Sequence, residues 1–171
     1  QYIIPKQKKL GRDDISVGIL YRNKTIKPLG KPQVLDSVSS VKYKNSQGKL
    51  KALFNDGYHR PVLLQKFSRE GQSFYIAVNH FKSKGRPCKS EEEDPLQGHC
   101  NKERTKAASA LVSFIRHNTE DDAPILIVGD LNSYSQEDPL LVFAKAGFKN
   151  LNEVEALYSG YRPFFSYSYQ G

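Results

Sequence analysis

The sequence lacks methionine, any run of 18 apolar residues, internal repeats and linker-like segments, and only two of its 171 residues are cysteine. Without a long apolar run, no segment is predicted to cross a membrane as a helix. The missing repeats and linkers favour one domain over residues 1–171, a length that can bury a core. A chain that opens at Gln1 and has no methionine cannot start at a natural initiation codon. We therefore expect it to be processed, or part of something longer, with any signal peptide already absent.

Acidic residues are too few to balance the basic ones: 18 Asp and Glu face 26 Lys and Arg, which gives a formal charge of +8 and a pI near 9.4. A field of this sign favours a polyanion such as nucleic acid, or an anionic membrane surface. A basic soluble protein without such a partner is the alternative, and charge alone does not decide between them. The group Lys82, Lys84 and Arg86 is the most informative because it lies beside a candidate active-site histidine.

The two cysteines, Cys88 and Cys100, lie in one polar loop. A disulfide between them would close a loop of about a dozen residues and stabilise the fold by roughly 3 kcal/mol. The alternative is a zinc site that also uses His99 and His80, although a C-x-x-C pair is missing. A disulfide indicates an oxidising compartment, so we expect a secreted, extracellular or periplasmic protein.

Hydrophobic periodicity predicts strand, strand, helix, strand and helix in that order, which indicates an α/β domain with a mixed sheet. The two strands that precede the first helix are joined by a hairpin turn. Asn101 is the predicted cap of the first helix. The second helix begins with Asp138 as its cap and Pro139 in its first turn, and Gly147 ends it. Weaker strand patterns precede them, and 42–50 is a polar segment with a turn signal. In order, the predicted strands are 14–22, 33–36, 61–68, 73–81 and 124–128, and the predicted helices are 104–117 and 138–146.

Asp130 and Asn132 follow the predicted strand 124–128 directly after Gly129. Strand ends of an α/β sheet open onto a crevice, and alternation along an extended chain would point both side chains the same way while Leu131 returns to the core. A carboxylate beside a carboxamide can hold a hard divalent cation, a water and a phosphate oxygen. The alternative is a helix cap or an Asx turn, the usual role of these residues after a strand.

Three other polar residues stand where they could join this pair. His80 lies at the end of the strand 73–81, Arg60 stands directly before the strand 61–68 and offers a planar fork for phosphate oxygens, and Lys82 follows His80 at the start of the long loop. Each has an alternative without function: His80 would be a packed or surface histidine, Arg60 would form a surface salt bridge, and Lys82 would be a solvated lysine.

The motifs VGILYR, HRPVLLQKF, VNHFKSKG and VGDLN, in this order, resemble the endonuclease/exonuclease/phosphatase superfamily, the fold of deoxyribonuclease I. NHFKSKG, QGHCN and GDLNSYSQEDPL are similar to its secreted bacterial nuclease branch. The resemblance implies a mixed β-sandwich flanked by helices and a metal-dependent endonuclease that prefers DNA and could also take RNA. Mg²⁺ is the expected ion, with Mn²⁺ or Ca²⁺ as alternatives.

The resemblance also implies a role for each site residue. Asp130 would orient the attacking water and bind the metal, and Asn132 would hold Asp130 and a phosphate oxygen while also contributing to the metal site. His80 would hydrogen-bond the phosphoryl oxygen as charge builds there. Arg60 and Lys82 would bind substrate phosphate, and Tyr134 would contact the nucleic-acid backbone or pack. Cys88 and Cys100 match the cysteine pair that ties the long loop.

The family pattern also contains parts that this chain lacks: an asparagine and a metal-binding glutamate upstream, and an aspartate-histidine element downstream. We therefore expect a domain that is incomplete at both ends. Two alternatives stay open: a phosphodiesterase or phosphatase of the same fold that acts on lipid head groups or small phosphoesters, and a catalytically incomplete fragment that binds nucleic acid.

Overall fold

Eight strands and three helices follow one another along the described residues, which in this computed structural model are 1–4, 15–89 and 93–159. The strands are β1 (Tyr2–Ile3), β2 (Ile19–Leu20), β3 (Lys27–Leu35), β4 (Lys42–Lys44), β5 (Leu50–Ala52), β6 (Arg60–Arg69), β7 (Gln72–His80) and β8 (Ile125–Asp130). The helices are α1 (Asn101–Asn118), α2 (Asp138–Lys145) and α3 (Leu151–Ser159).

The strands β6 and β7 form the predicted hairpin at the centre of a four-stranded sheet of order β3-β6-β7-β8. Its two-residue turn, Glu70 and Gly71, has positive φ at both positions (51° and 82°). That conformation matches the twist of the flanking strands, which is why a short turn suffices. β3 pairs antiparallel with β6 at one edge.

At the other edge β8 runs parallel to β7, in register from Tyr75 opposite Ile125 to His80 opposite Asp130. Parallel neighbours need a crossover, and α1 lies in it. The sheet is therefore mixed and flanked by helices, and the predicted α/β class is confirmed. None of the helices in the described part of the chain has the length and apolar character needed to cross a membrane.

Side-chain alternation along β6 and β7 divides the apolar residues between two cores. Val62, Leu64 and Ala77 pack in one core with residues of α1 and α2. Leu63 and Phe67 pack in the other with Ile3, Val17 and Ile19, which lie in or beside the ribbon β1–β2. Among the described residues, this two-stranded ribbon occupies the side where a β-sandwich would have its second sheet.

Both predicted helices are present, but their N-cap residues differ from the prediction. Cys100, not Asn101, is the N-cap of α1, and it adopts a left-handed conformation with φ 64°. Asn101 lies in the helix and its Nδ2 donates to Oδ2 of Asp138 at 2.8 Å. The cap residue of α2 is Glu137 rather than Asp138, while Gly147, with φ 96°, follows the C-terminal end as predicted.

Five elements, of which β1 is one, were not predicted at these bounds or at all. The short strand predicted at 33–36 is the end of the nine-residue β3, the polar segment 42–50 belongs to the hairpin β4–β5, and α3 has no predicted counterpart. Of the strand predicted at 14–22, residues 19–20 form β2, and Asp14 lies outside the described residues.

Candidate functional site

Three of the predicted site residues form one row across three adjacent strands. Arg60 of β6 is paired with His80 of β7, and His80 is paired with Asp130 of β8. Directly paired residues lie side by side on one face of a sheet, and neighbouring strands are about 4.8 Å apart. The Cα atoms of the three residues, which carry a guanidinium, an imidazole and a carboxylate, therefore lie within roughly 10 Å of one another at the edge where β7 and β8 end.

Asn132 is joined to this row by a turn rather than by strand alternation. β8 ends at Asp130, Asn132 has φ 48°, and its backbone N–H donates to Oδ1 of Asp130 at 2.9 Å. This is the Asx turn that the sequence left as an alternative. The Nδ2 of Asn132 donates to the Phe81 carbonyl at 3.0 Å, which ties it to the chain after β7. Leu131 packs against the core as expected, and Asp130 is exposed.

His59, which the sequence analysis left without a role, lies buried directly before Arg60. Its ring is 2% exposed and packs between Phe54 and Phe81, each with its centroid 5.4 Å away. Nδ1 of His59 accepts a hydrogen bond from the backbone N–H of Lys82 at 3.0 Å. The imidazole therefore links the start of β6 to the segment that follows β7.

Burial and, to a lesser extent, the nearby charges of Arg104, Lys82 and Arg60 together lower the pKa of His59 to about 3. Because Nδ1 is an acceptor here, protonation would break the bond to Lys82 and place a charge in an apolar cage. An unfolded chain protonates near the ordinary value of 6.5. The neutral ring's contribution to stability is thus complete above pH 6.5 and is lost as the pH falls towards 3.

We expect the free energy of unfolding of the wild type to fall by about 1.4 kcal/mol per pH unit below 6.5 from this group. In His59→Asn, whose Oδ1 can accept from Lys82 and cannot titrate, this slope should be absent in urea unfolding measured between pH 5 and 7.5. His117→Asn, which changes an exposed histidine of α1, is the matched control and should keep the wild-type slope. An unchanged slope in His59→Asn would contradict the assignment.

Positive charge gathers at this edge of the sheet. Burial lowers the pKa of Lys82, and the neighbouring guanidinium groups of Arg104, Arg60 and Arg86 lower it further. The ammonium group of Lys82 donates to the Ser83 carbonyl at 3.1 Å. The charges of Lys82, Arg60 and Arg86 make an anion the natural ligand of this region.

The side chain of Lys84 contacts both the ring of Tyr134 and the residue that caps α2. The Lys84 ammonium lies 4.3 Å from the centroid of the Tyr134 ring and is hydrogen-bonded to the Glu137 carboxylate. The side chains of Lys84 and Glu137 are only 14% and 8% exposed. Lys84 thus joins the long loop to the start of α2, whereas Tyr134 keeps 39% exposure beside the site.

The long loop is closed by a disulfide between Cys88 and Cys100. Both sulfurs are bonded to each other, so the structure has the predicted disulfide and not the alternative zinc site. Cys100 is also the N-cap of α1, which places the bridge at the entrance of the helix. His99 lies 3.5 Å from the Glu93 carboxylate.

Arg104 is a second residue that sequence reasoning left without a role. It lies in the first turns of α1 and is fully buried, and its guanidinium donates to several chain segments around the site. No local pattern in the sequence shows that its acceptors come from residues 82, 97, 99 and 133.

The oxygen donors present fit part of a divalent cation site. Asp130 contributes an exposed carboxylate and Asn132 an amide oxygen, which are ligand types that Mg²⁺ and Ca²⁺ accept. Within 1–4, 15–89 and 93–159, no group of three His, Cys, Asp or Glu residues is placed to hold a metal ion. The described residues thus offer two oxygen ligands and not a complete set.

No protein-family model matches the chain, and no curated protein matches its sequence. Among solved structures, the human Nocturnin catalytic domain with bound sulfate anion is similar with 16% identity and a TM-score of 0.49, over 77% of this chain and 38% of that one. D. rerio TDP2 complexed with single strand DNA product is similar with 18% identity and a TM-score of 0.47, over 89% of this chain and 44% of that one. The chain spans less than half the length of either structure.

Proposed function

We propose that this chain carries part of the active site of a metal-dependent phosphodiesterase, an extracellular endonuclease that cleaves nucleic acid and prefers DNA. The observation that carries the proposal is the row Arg60, His80 and Asp130, with Asn132 held beside it. The motifs that resemble the endonuclease/exonuclease/phosphatase superfamily, and its secreted bacterial branch in particular, support the same function.

The row contains some of the groups that phosphodiester cleavage requires. An in-line displacement needs an oriented water and hydrogen-bond donors around the non-bridging oxygens, where negative charge develops. Asp130, exposed at the end of β8, would orient the water. His80, its neighbour on β7, would donate to a phosphoryl oxygen, and the fork of Arg60 would bind a second one.

A divalent cation, with Mg²⁺ first and Mn²⁺ or Ca²⁺ as alternatives, is part of the proposal. Asp130 and Asn132 would provide two of its oxygen ligands, and the others would come from outside the described residues. When bound, the ion would supply positive charge next to the phosphoryl oxygens.

The substrate class follows from charge. Lys82 and Arg86 stand near the row, and the chain as a whole carries +8. Positive charge that extends beyond the reacting centre suits a polymer with many phosphates better than a small phosphoester. Tyr134 would contact the nucleic-acid backbone beside the scissile bond. The disulfide supports an extracellular or periplasmic location.

An incomplete site that binds nucleic acid without cleaving it is the second candidate. One observation favours it: the described residues bring together no metal site with three carboxylate, histidine or cysteine ligands. A phosphodiesterase of the same fold that acts on lipid head groups or small phosphoesters is the third.

We expect the complete protein to nick supercoiled plasmid in the presence of Mg²⁺ and to lose at least about 10²-fold of that rate when a chelator removes the ion. Agarose-gel densitometry measures both rates. Sphingomyelin and p-nitrophenyl phosphate serve as competing substrates under the same conditions. Binding of plasmid without nicking would select the second candidate, faster turnover of either small substrate would select the third, and chelator-resistant nicking would contradict metal dependence.

A further inference from the structure

We propose that Arg104 is a positioning residue, which holds the segments after His80 and after Asn132 in the arrangement that cleavage needs. This inference rests on the proposed function. It concerns a residue that lies outside the row itself and cannot reach substrate, because its side chain is completely buried.

The guanidinium of Arg104 joins three separate parts of the chain. Nη1 donates to the carbonyls of Lys82 at 3.3 Å and His99 at 2.6 Å, and Nη2 donates to that of Gln97 at 3.0 Å. Nε donates to Oγ of Ser133 at 3.2 Å. One side chain thus fixes the start of the long loop, its end near the disulfide, and the segment that follows β8.

Two of these acceptors lie next to the proposed active-site residues. Lys82 is two residues beyond His80, and its N–H donates to Nδ1 of His59, the neighbour of Arg60. Ser133 follows Asn132 directly in the sequence. A continuous, partly buried network therefore connects the ends of β7 and β8 and the start of β6, and Arg104 adds to the direct bond between Asn132 and Phe81 a second connection between the two strand ends.

The electrostatic surroundings of Arg104 indicate that its role is to fix the positions of the neighbouring chain segments, and not to supply positive charge. Its cation lies in the first turns of α1, where the helix dipole favours anions, and close to Lys82 and Arg60. Burial of a cation among other cations costs free energy. The planar fork of arginine can donate to several carbonyls in fixed directions, whereas the ammonium of lysine is a point charge and cannot reproduce this.

We expect Arg104→Lys to lower kcat for plasmid nicking by about 10- to 100-fold while KM changes by less than about 3-fold, since a misplaced site loses rate rather than binding. Arg104→Ala should behave likewise and recover part of its kcat when guanidinium ion is added, but not when sodium chloride is added at the same ionic strength. Arg116→Lys changes an exposed arginine of the same helix and should match the wild type.

Amide hydrogen exchange separates positioning from general destabilisation. In Arg104→Lys, peptides covering 81–84 and 131–134 should exchange faster, while the β6–β7 turn at 69–72 should be unchanged. If Arg104→Lys does not fold, Ser133→Ala removes one acceptor and should lower kcat about 3-fold, with faster exchange confined to 131–134.

Unchanged kcat in these variants, or faster exchange spread evenly over the chain, would overturn the role of Arg104. A wild-type protein that cleaves no nucleic acid would overturn the proposed function instead. In that case the exchange pattern alone decides whether Arg104 holds the two segments.

Discussion

Asp130→Asn should reduce plasmid nicking by about 10³-fold without unfolding the protein. The amide oxygen that replaces Oδ1 can still accept from the Asn132 N–H, so the turn after β8 is preserved. The negative charge is lost, and with it the ability to orient the attacking water and to bind a cation strongly. Rates are measured on supercoiled plasmid, and the fold is checked by circular dichroism and urea unfolding.

Asp121→Asn is the matched control, because Asp121 is an exposed carboxylate shortly before β8 and lies outside the row. It should nick plasmid at the wild-type rate. His80→Ala should lose activity on the same scale as Asp130→Asn. If the two residues act on one transition state, the double variant should be little worse than either single one. Wild-type rates in Asp130→Asn would refute the proposed site.

Parts of the fold that bury a regular apolar pattern were predictable from sequence. The hairpin of β6 and β7, the strand β8 and the helix α1 each show a periodicity that matches one buried face. The row of Arg60, His80 and Asp130 follows from the same elements, because parallel β7 and β8 end at one edge. Its residue types were predicted to lie together, and the structure places them together, whereas their catalytic roles stay proposals.

The elements that sequence analysis missed lack such a pattern. β3 contains Pro28, Gly30 and Pro32, which are signals against a strand, yet an edge strand tolerates them because one side of its ladder needs no partner. The hairpin β4–β5 is mostly exposed and rich in lysine, so alternation between buried and polar residues is absent.

Side chains whose partners are distant in sequence were equally beyond prediction. Arg104 and Lys84 look like solvated cations in the sequence, but both are largely buried by contacts with residues far along the chain. For Lys84 this removes the expected contribution to polyanion binding, since its ammonium is already paired with Glu137. Burial of a charge depends on tertiary acceptors, which local patterns do not encode.

Gly129→Ala should be the most destabilising small substitution in this region, lowering the free energy of unfolding by about 3–5 kcal/mol. A Cβ at residue 129 would lie 2.1 Å from the carbonyl oxygen of Asn79 and 2.9 Å from its nitrogen, and both are backbone atoms of the paired strand β7. The strands would have to separate at the pair adjoining His80 and Asp130. Residual folded protein should therefore also nick plasmid poorly.

Gly147→Ala is the control that measures the cost of a positive φ alone, without a steric clash between the new Cβ and a neighbouring strand. Gly147 also has a positive φ, 96° against 111° for Gly129, but a Cβ there would meet no atom within 4 Å. It should lose only about 1 kcal/mol. Urea unfolding of the two variants side by side measures the difference, which is the cost of forcing β7 and β8 apart. Equal losses would mean that the strands can yield at this point, and that the close approach of Gly129 to Asn79 is not what holds Asp130 beside His80.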